Sequence, residues 1–106
     1  MYISAGTVTM NADTVGCPPG QFGLQSNSAQ SPTNSYGGGT YVGGGTVTLT
    51  NDTIIDNAAA GGNVGYGGGI YIASGATVDL DSFTLAHTEN NYGFGNNIYG
   101  AYILVP

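Results

Sequence analysis

The residues able to do chemistry are few. Six carboxylates (Asp13, Asp52, Asp56, Asp79, Asp81 and Glu89), His87 and Cys17 make up the set, and lysine and arginine are absent. Hydrolysis of a glycosidic bond needs two carboxylates that flank the bond. Asp79 and Asp81 come nearest to such a pair, because alternate residues of a strand share one face. Solvation of that exposed face is the simpler role for two acids there. A lyase would need a base to abstract a proton, and no lysine or arginine is present. His87 with Glu89 offers the one further combination, but a histidine with no second histidine or cysteine beside it reads as a surface side chain. No nucleophile elbow, phosphate loop or paired-histidine zinc motif occurs. The expectation is therefore no enzyme, with no catalytic, cofactor-binding or metal-binding residues; a carbohydrate-active enzyme stays as a distant alternative. Calcium is a minor possibility, since Asp13 and Asp52 occupy equivalent turns one repeat apart. Two like charges ~5 Å from one another are relieved by a cation or by protonation.

The composition narrows the partners. The formal net charge is -6, so no cationic surface is available for phosphates, and nucleic acid is excluded. No apolar run reaches the ~18 residues that a spanning helix needs, so no membrane insertion is expected. The start of the chain has neither the basic nor the apolar region of a leader, and an extracellular protein of this sequence would be a mature or partial chain. Cys17 is the single cysteine. It reads as a small half-buried residue in a Pro/Gly turn, with a free thiol or an intermolecular bridge as the alternative. Low charge accompanies disorder where hydrophobicity is also low, but here 41% of the residues are apolar and they lie in short β-branched runs.

What positions these residues is a repeat. Tyr2, Tyr41, Tyr71 and Tyr99 fall into one column, the last three after glycine-rich approaches. Downstream, Val8, Met10 and Val15 align with Val47, Leu49 and Ile54, and these align with Val78, Leu80 and Leu85. The step of two between the first members of each set is the strand period, which points one face into a core. Asn, Asp and Ser residues then make a turn into a further strand. No segment has helical spacing. Such a unit cannot bury its apolar side chains alone, but copies stacked at ~4.8 Å build a continuous core. One domain, residues 1–106, is expected, with repeats starting near Met1, Gly37, Gly67 and Gly95 and a loop from Gly16 to Ser35 thrown out of the first. Stacked phenol rings would support the column, and where exposed they would suit carbohydrate. The outward threonines Thr7, Thr9, Thr46, Thr48, Thr50 and Thr77 are ordinary strand residues.

The segments "GGGTY" (Gly37–Tyr41), "GGGIY" (Gly67–Tyr71) and "IIDN" (Ile54–Asn57) resemble the right-handed β-helix repeats of the polymorphic outer-membrane-protein and adhesin type, over repeats two and three. Repeat one lacks a glycine triplet before Tyr2, and repeat three places Thr88 where Asn57 would stack. The likeness implies a surface-exposed solenoid and no activity. The fold expected is thus all-β: a short right-handed parallel β-solenoid of about three coils with one long loop.

A solenoid without polar terminal repeats exposes unpaired backbone at both ends. Neither end carries such a cap, and lysine, the usual guard of edge strands, is absent. The expected function is an extracellular or cell-surface filament subunit whose partners are copies of itself, joined head to tail. A fragment of a larger surface adhesin is the alternative. The assembly candidate is Ala101, Tyr102, Ile103, Leu104 and Val105, either the last strand of its own coil or a strand lent to a neighbour. Asn51 in "NDT" is a candidate for N-glycosylation, and Ser28–Ser35 for O-glycans.

Overall fold

A computed structural model describes residues 1–16, 27–31, 33–60, 64–93 and 97–106. In chain order the elements are β1 (Tyr2–Ile3), β2 (Thr7–Asn11), β3 (Thr14–Gly16), β4 (Ser28–Ala29), β5 (Asn34–Tyr36), β6 (Thr40–Val42), β7 (Thr46–Thr50) and β8 (Thr53–Ile55). They continue with β9 (Ala58–Ala59), β10 (Val64–Tyr66), β11 (Ile70–Ile72), β12 (Thr77–Asp81), α1 (Ser82–Ala86), β13 (Thr88–Glu89), β14 (Ile98–Tyr99) and β15 (Ile103–Val105).

The strands are short, and each pairs with its equivalent in another repeat instead of with its sequence neighbour. One sheet has the order β1-β6-β11-β14, a second β15-β12-β7-β2, a third β13-β8-β3, and two-stranded sheets join β4 to β9 and β5 to β10. Every pairing is parallel, and like residues lie on like: Tyr2 on Tyr41 on Tyr71 on Tyr99, and Val8 on Val47 on Val78. The chain is mostly strand in parallel sheets, the arrangement of an all-β parallel solenoid.

The alternation in "TVTLT" and "TVDLD" sets the core. Val47, Leu49, Val78 and Leu80 are buried while their neighbours along β7 and β12 are half-buried. Ile3, Val42, Ile54, Ile70 and Ile72 complete the cluster, and Val8, Met10 and Val15 pack against it half-buried because they lie in the edge strands β2 and β3.

The structure corrects the third repeat. Leu85 was expected above Ile54, but Thr88 takes that position and Leu85 lies in α1, half-buried against the core. The cause is local: the Asp81 carboxylate accepts the Thr84 N–H at 2.8 Å, capping a helical turn where the preceding repeat makes a tighter corner. That turn lengthens the repeat from a spacing of 31 residues at Leu49 and Leu80 to 34 at Asn57 and Asn91. Asn91, and not Thr88, therefore lies against Asn57. Asp56 and Asn90, the residues just before these two asparagines, both adopt left-handed backbone, which Asn and Asp tolerate best.

The range 16–35, expected as one loop, holds strands β4 and β5, which rejoin the sheets. Ser28 and Ala29, within the proposed O-glycan segment, form β4. Cys17 and most of the remaining loop, with the repeat start at Gly95, lie outside the described residues.

Candidate functional site

The largest constellation of functional side chains is aromatic. The ladder Tyr2, Tyr41, Tyr71 and Tyr99 has ring centroids 5.0, 5.0 and 5.5 Å apart, set by the strand spacing of the β1-β6-β11-β14 sheet. Beside it stands a second ladder that the sequence reading passed over, Tyr36 on Tyr66, stacked at 5.3 Å on the β5–β10 sheet. The signal was present as Y-G-G-G-x-Y at Tyr36–Tyr41 and Tyr66–Tyr71. Glycine is required at the corner: a Cβ on Gly67 would sit 2.3 Å from the Ile70 carbonyl oxygen, and its φ is +64°. The tight turn brings the two tyrosines of each motif together.

The two ladders meet edge to face. Tyr36 lies 4.8 Å from Tyr71 and Tyr66 lies 5.0 Å from Tyr99, at interplanar angles of 61° and 62°. Tyr36, Tyr66, Tyr71 and Tyr99 line a trough of about 240 Å³. Such ring pairs contribute roughly 0.5–1.5 kcal/mol each beyond the area they bury, so the ladders stabilise the stack as well as shaping it. Desolvation, reinforced by the neighbouring phenols, raises the Tyr71 hydroxyl above the ordinary tyrosine range, and it is neutral at physiological pH.

The carboxylates are dispersed into structural duties. The Asp13 N–H donates to Asp52 Oδ1 at 2.8 Å, and the Asp52 N–H donates to Thr84 Oγ1 at 3.1 Å, so one side chain per repeat caps the turn of its neighbour. Asp52 is fully buried, and its Oδ2 has no hydrogen-bond partner among the described residues. Burial raises its pKa above the usual carboxylate value, and the Asp13 charge adds to the effect. Asp81 accepts from the Thr84 and Asn51 N–H groups, and bonding at Thr84 holds its pKa below the usual value. Asp79 is half-buried on β12, while Asp13 and Glu89 are exposed. No group of three or more His, Cys, Asp or Glu side chains among the described residues is placed to hold a metal ion. The His87 ring stacks on Phe83 at 3.9 Å, and its Nδ1 lies 2.8 Å from the Phe83 carbonyl oxygen.

Asn51 is exposed at a left-handed turn, its Nδ2 3.5 Å from Asn11 Oδ1. Of the assembly candidates, Ala101 and Tyr102 precede β15, whose Ile103, Leu104 and Val105 pair with Asp79, Leu80 and Asp81 of the same chain. Tyr102, Ile103 and Leu104 are exposed and Val105 is half-buried.

No protein-family model matches the chain, and comparison with curated proteins and with solved structures finds no match.

Proposed function

We propose that this chain is a structural subunit: a right-handed β-solenoid of about three coils that assembles head to tail into an extracellular filament. The observation that carries the reading is the pair of open rows of edge strands. β2 and β15 are the outer strands of one sheet and β1 and β14 of another, so among the described residues each is paired on one side only. Side chains that would be interior in a longer stack are correspondingly exposed, Tyr2 at 68% and Leu104 at 54%. A second copy seated with β1, β2 and β3 over β14, β15 and β13 continues the columns of these three sheets. Tyr2 follows Tyr99, Met10 follows Leu104 and Val15 follows Thr88. Parallel pairing of this kind satisfies the edge N–H and C=O groups, and no lysine is present to guard either edge. The contact is heterologous and grows into a fibre unless it closes as a ring. Asn51, exposed on a turn, is a glycan acceptor repeated once per subunit in such a fibre.

Negative-stain imaging of the purified chain over a concentration series tests the reading. End-to-end fibres or rings are expected, and Leu104→Lys is expected to reduce them to single particles while the circular dichroism stays unchanged. Dispersed monomers at every concentration would reject the proposal.

A further inference from the structure

The tyrosine trough points to a binding role beyond filament assembly. We propose that the trough is a binding site for a neutral oligosaccharide. Among the described residues its lining is Tyr36, Tyr66, Tyr71 and Tyr99 and includes no carboxylate or other charged side chain. An anionic ligand would meet a chain of net charge -6 with no lysine or arginine to receive it. A cation held by aromatic faces is disfavoured for a geometric reason. Tyr71 is packed between Tyr41 and Tyr99, and Tyr36 is stacked on Tyr66, so Tyr71 has both faces occupied and Tyr36 at least one. Phenol hydroxyls donate and accept hydrogen bonds, the chemistry that recognises sugar hydroxyls, and tyrosine offers it from a rigid side chain that loses little entropy on binding. The periodicity agrees: rings recur at 5.3 Å along one ladder and 5.5 Å along the other, about the rise from one sugar to the next in an extended chain. The volume of about 240 Å³ displaces the equivalent of roughly eight waters at ~30 Å³ each, space for one pyranose and the start of its neighbours.

The test is titration of the chain with cellotetraose and maltotetraose, followed by tyrosine ring shifts in NMR. Tetramethylammonium chloride and a tetragalacturonate serve as charged competitors. Saturable binding of a neutral tetrasaccharide is expected, with a Kd of about 1 mM or tighter. Tyr71→Phe, which keeps the ring and removes the hydroxyl, is expected to weaken it about fivefold with an unchanged melting curve. Tyr92→Phe, at an exposed ring that does not line the trough, is expected to leave it unaltered. No neutral binding at ~10 mM, tighter binding of either charged probe, or a Tyr71→Phe variant of full affinity would each overturn the proposal. Titrating a monomeric Leu104→Lys sample as well keeps the outcome separate from that of assembly.

Discussion

Replacing Asn91 by alanine should cost far more than replacing Asn57, although both are buried asparagines in one column. Asn91 Oδ1 accepts from the Asn57 N–H at 2.9 Å and from Asn57 Nδ2 at 3.0 Å, while its own Nδ2 donates to the Ile54 carbonyl at 2.9 Å and to Asn97 Oδ1 at 3.1 Å. Alanine there strips the partner from a buried backbone N–H and from a carbonyl inside the stack. At about 1–3 kcal/mol for each of the two groups, the cost is about 2–6 kcal/mol. Asn57 is different. Its Nδ2 also donates to the Val15 carbonyl at 2.9 Å, but its Oδ1 is buried with no partner among the described residues, so alanine removes a stabilising bond and a destabilising orphan together. A net cost of about 1 kcal/mol follows. Urea denaturation monitored by circular dichroism resolves the difference, because ~2 kcal/mol moves the midpoint by about 1 M when the slope is ~2 kcal/mol per molar. Equal costs, or a larger one at Asn57, would refute the bonding pattern. An Asn91→Ala variant within ~0.5 kcal/mol of the parent would restore the register that places Thr88 against Asn57.

Two further expectations come from the turns and the acids. Gly75→Ala meets nothing within 4 Å and pays only for its φ of +90°, so a loss of ~1 kcal/mol and about 4–8 °C in Tm is expected by calorimetry. Gly68→Ala would place its Cβ 2.3 Å from the Tyr92 carbonyl oxygen, and should cost about 3 kcal/mol or prevent folding; a Tm equal to that of Gly75→Ala would count against the close packing of these layers. Stability should be greatest at mildly acidic pH. The raised pKa of Asp52 gives a contribution present below the ordinary aspartate value and lost as pH climbs through the folded one, while the lowered pKa of Asp81 gives one present above the ordinary value and lost as pH falls through its own. The two together put the maximum near pH ~4, and Asp52→Asn should flatten the alkaline side of a Tm-against-pH curve. A curve that climbs steadily from pH 4 to 7 in the parent chain would contradict the burial of that carboxylate.

The strand columns were legible because they rest on a period of two and on identical residues recurring in the same order. Val47, Leu49, Val78 and Leu80 are buried where the alternation put them, and the four ladder tyrosines stack as aligned. The corner after Asp81 was hidden because alignment by apolar residues prefers Leu85 under Ile54. The helical turn is dictated instead by a polar event, the capture of the Thr84 N–H by Asp81, which leaves no hydrophobic period to read. Asn91 went unrecognised for the same reason, since the length of that turn fixes its place. Tyr36 and Tyr66 were missed because a column was sought in one sheet only; that a glycine corner brings two sheets' tyrosines together is a matter of backbone geometry, visible only once Gly37 and Gly67 are known to take left-handed φ.

The missing cations, puzzling as composition, become intelligible once the carboxylates are followed to their partners. Asp13 accepts the Asn11 N–H, Asp52 accepts the Asp13 N–H, and Asp81 accepts the N–H groups of Thr84 and Asn51. Backbone amides at the corners thus do the work that lysine and arginine do on an ordinary surface: they give the acids hydrogen-bonded partners without adding charge. Strand faces between the corners are left to threonine, and the sheet junction to tyrosine, side chains that hydrogen-bond without repelling a neighbour of the same kind. A single lysine at an edge strand would guard against pairing and weaken a filament, and one in the trough would draw anions to a site built of neutral phenols. The proposals for the ends and for the trough therefore draw on one physical circumstance, a β stack without cations in which Asp13, Asp52 and Asp81 are held at the corners by backbone amides.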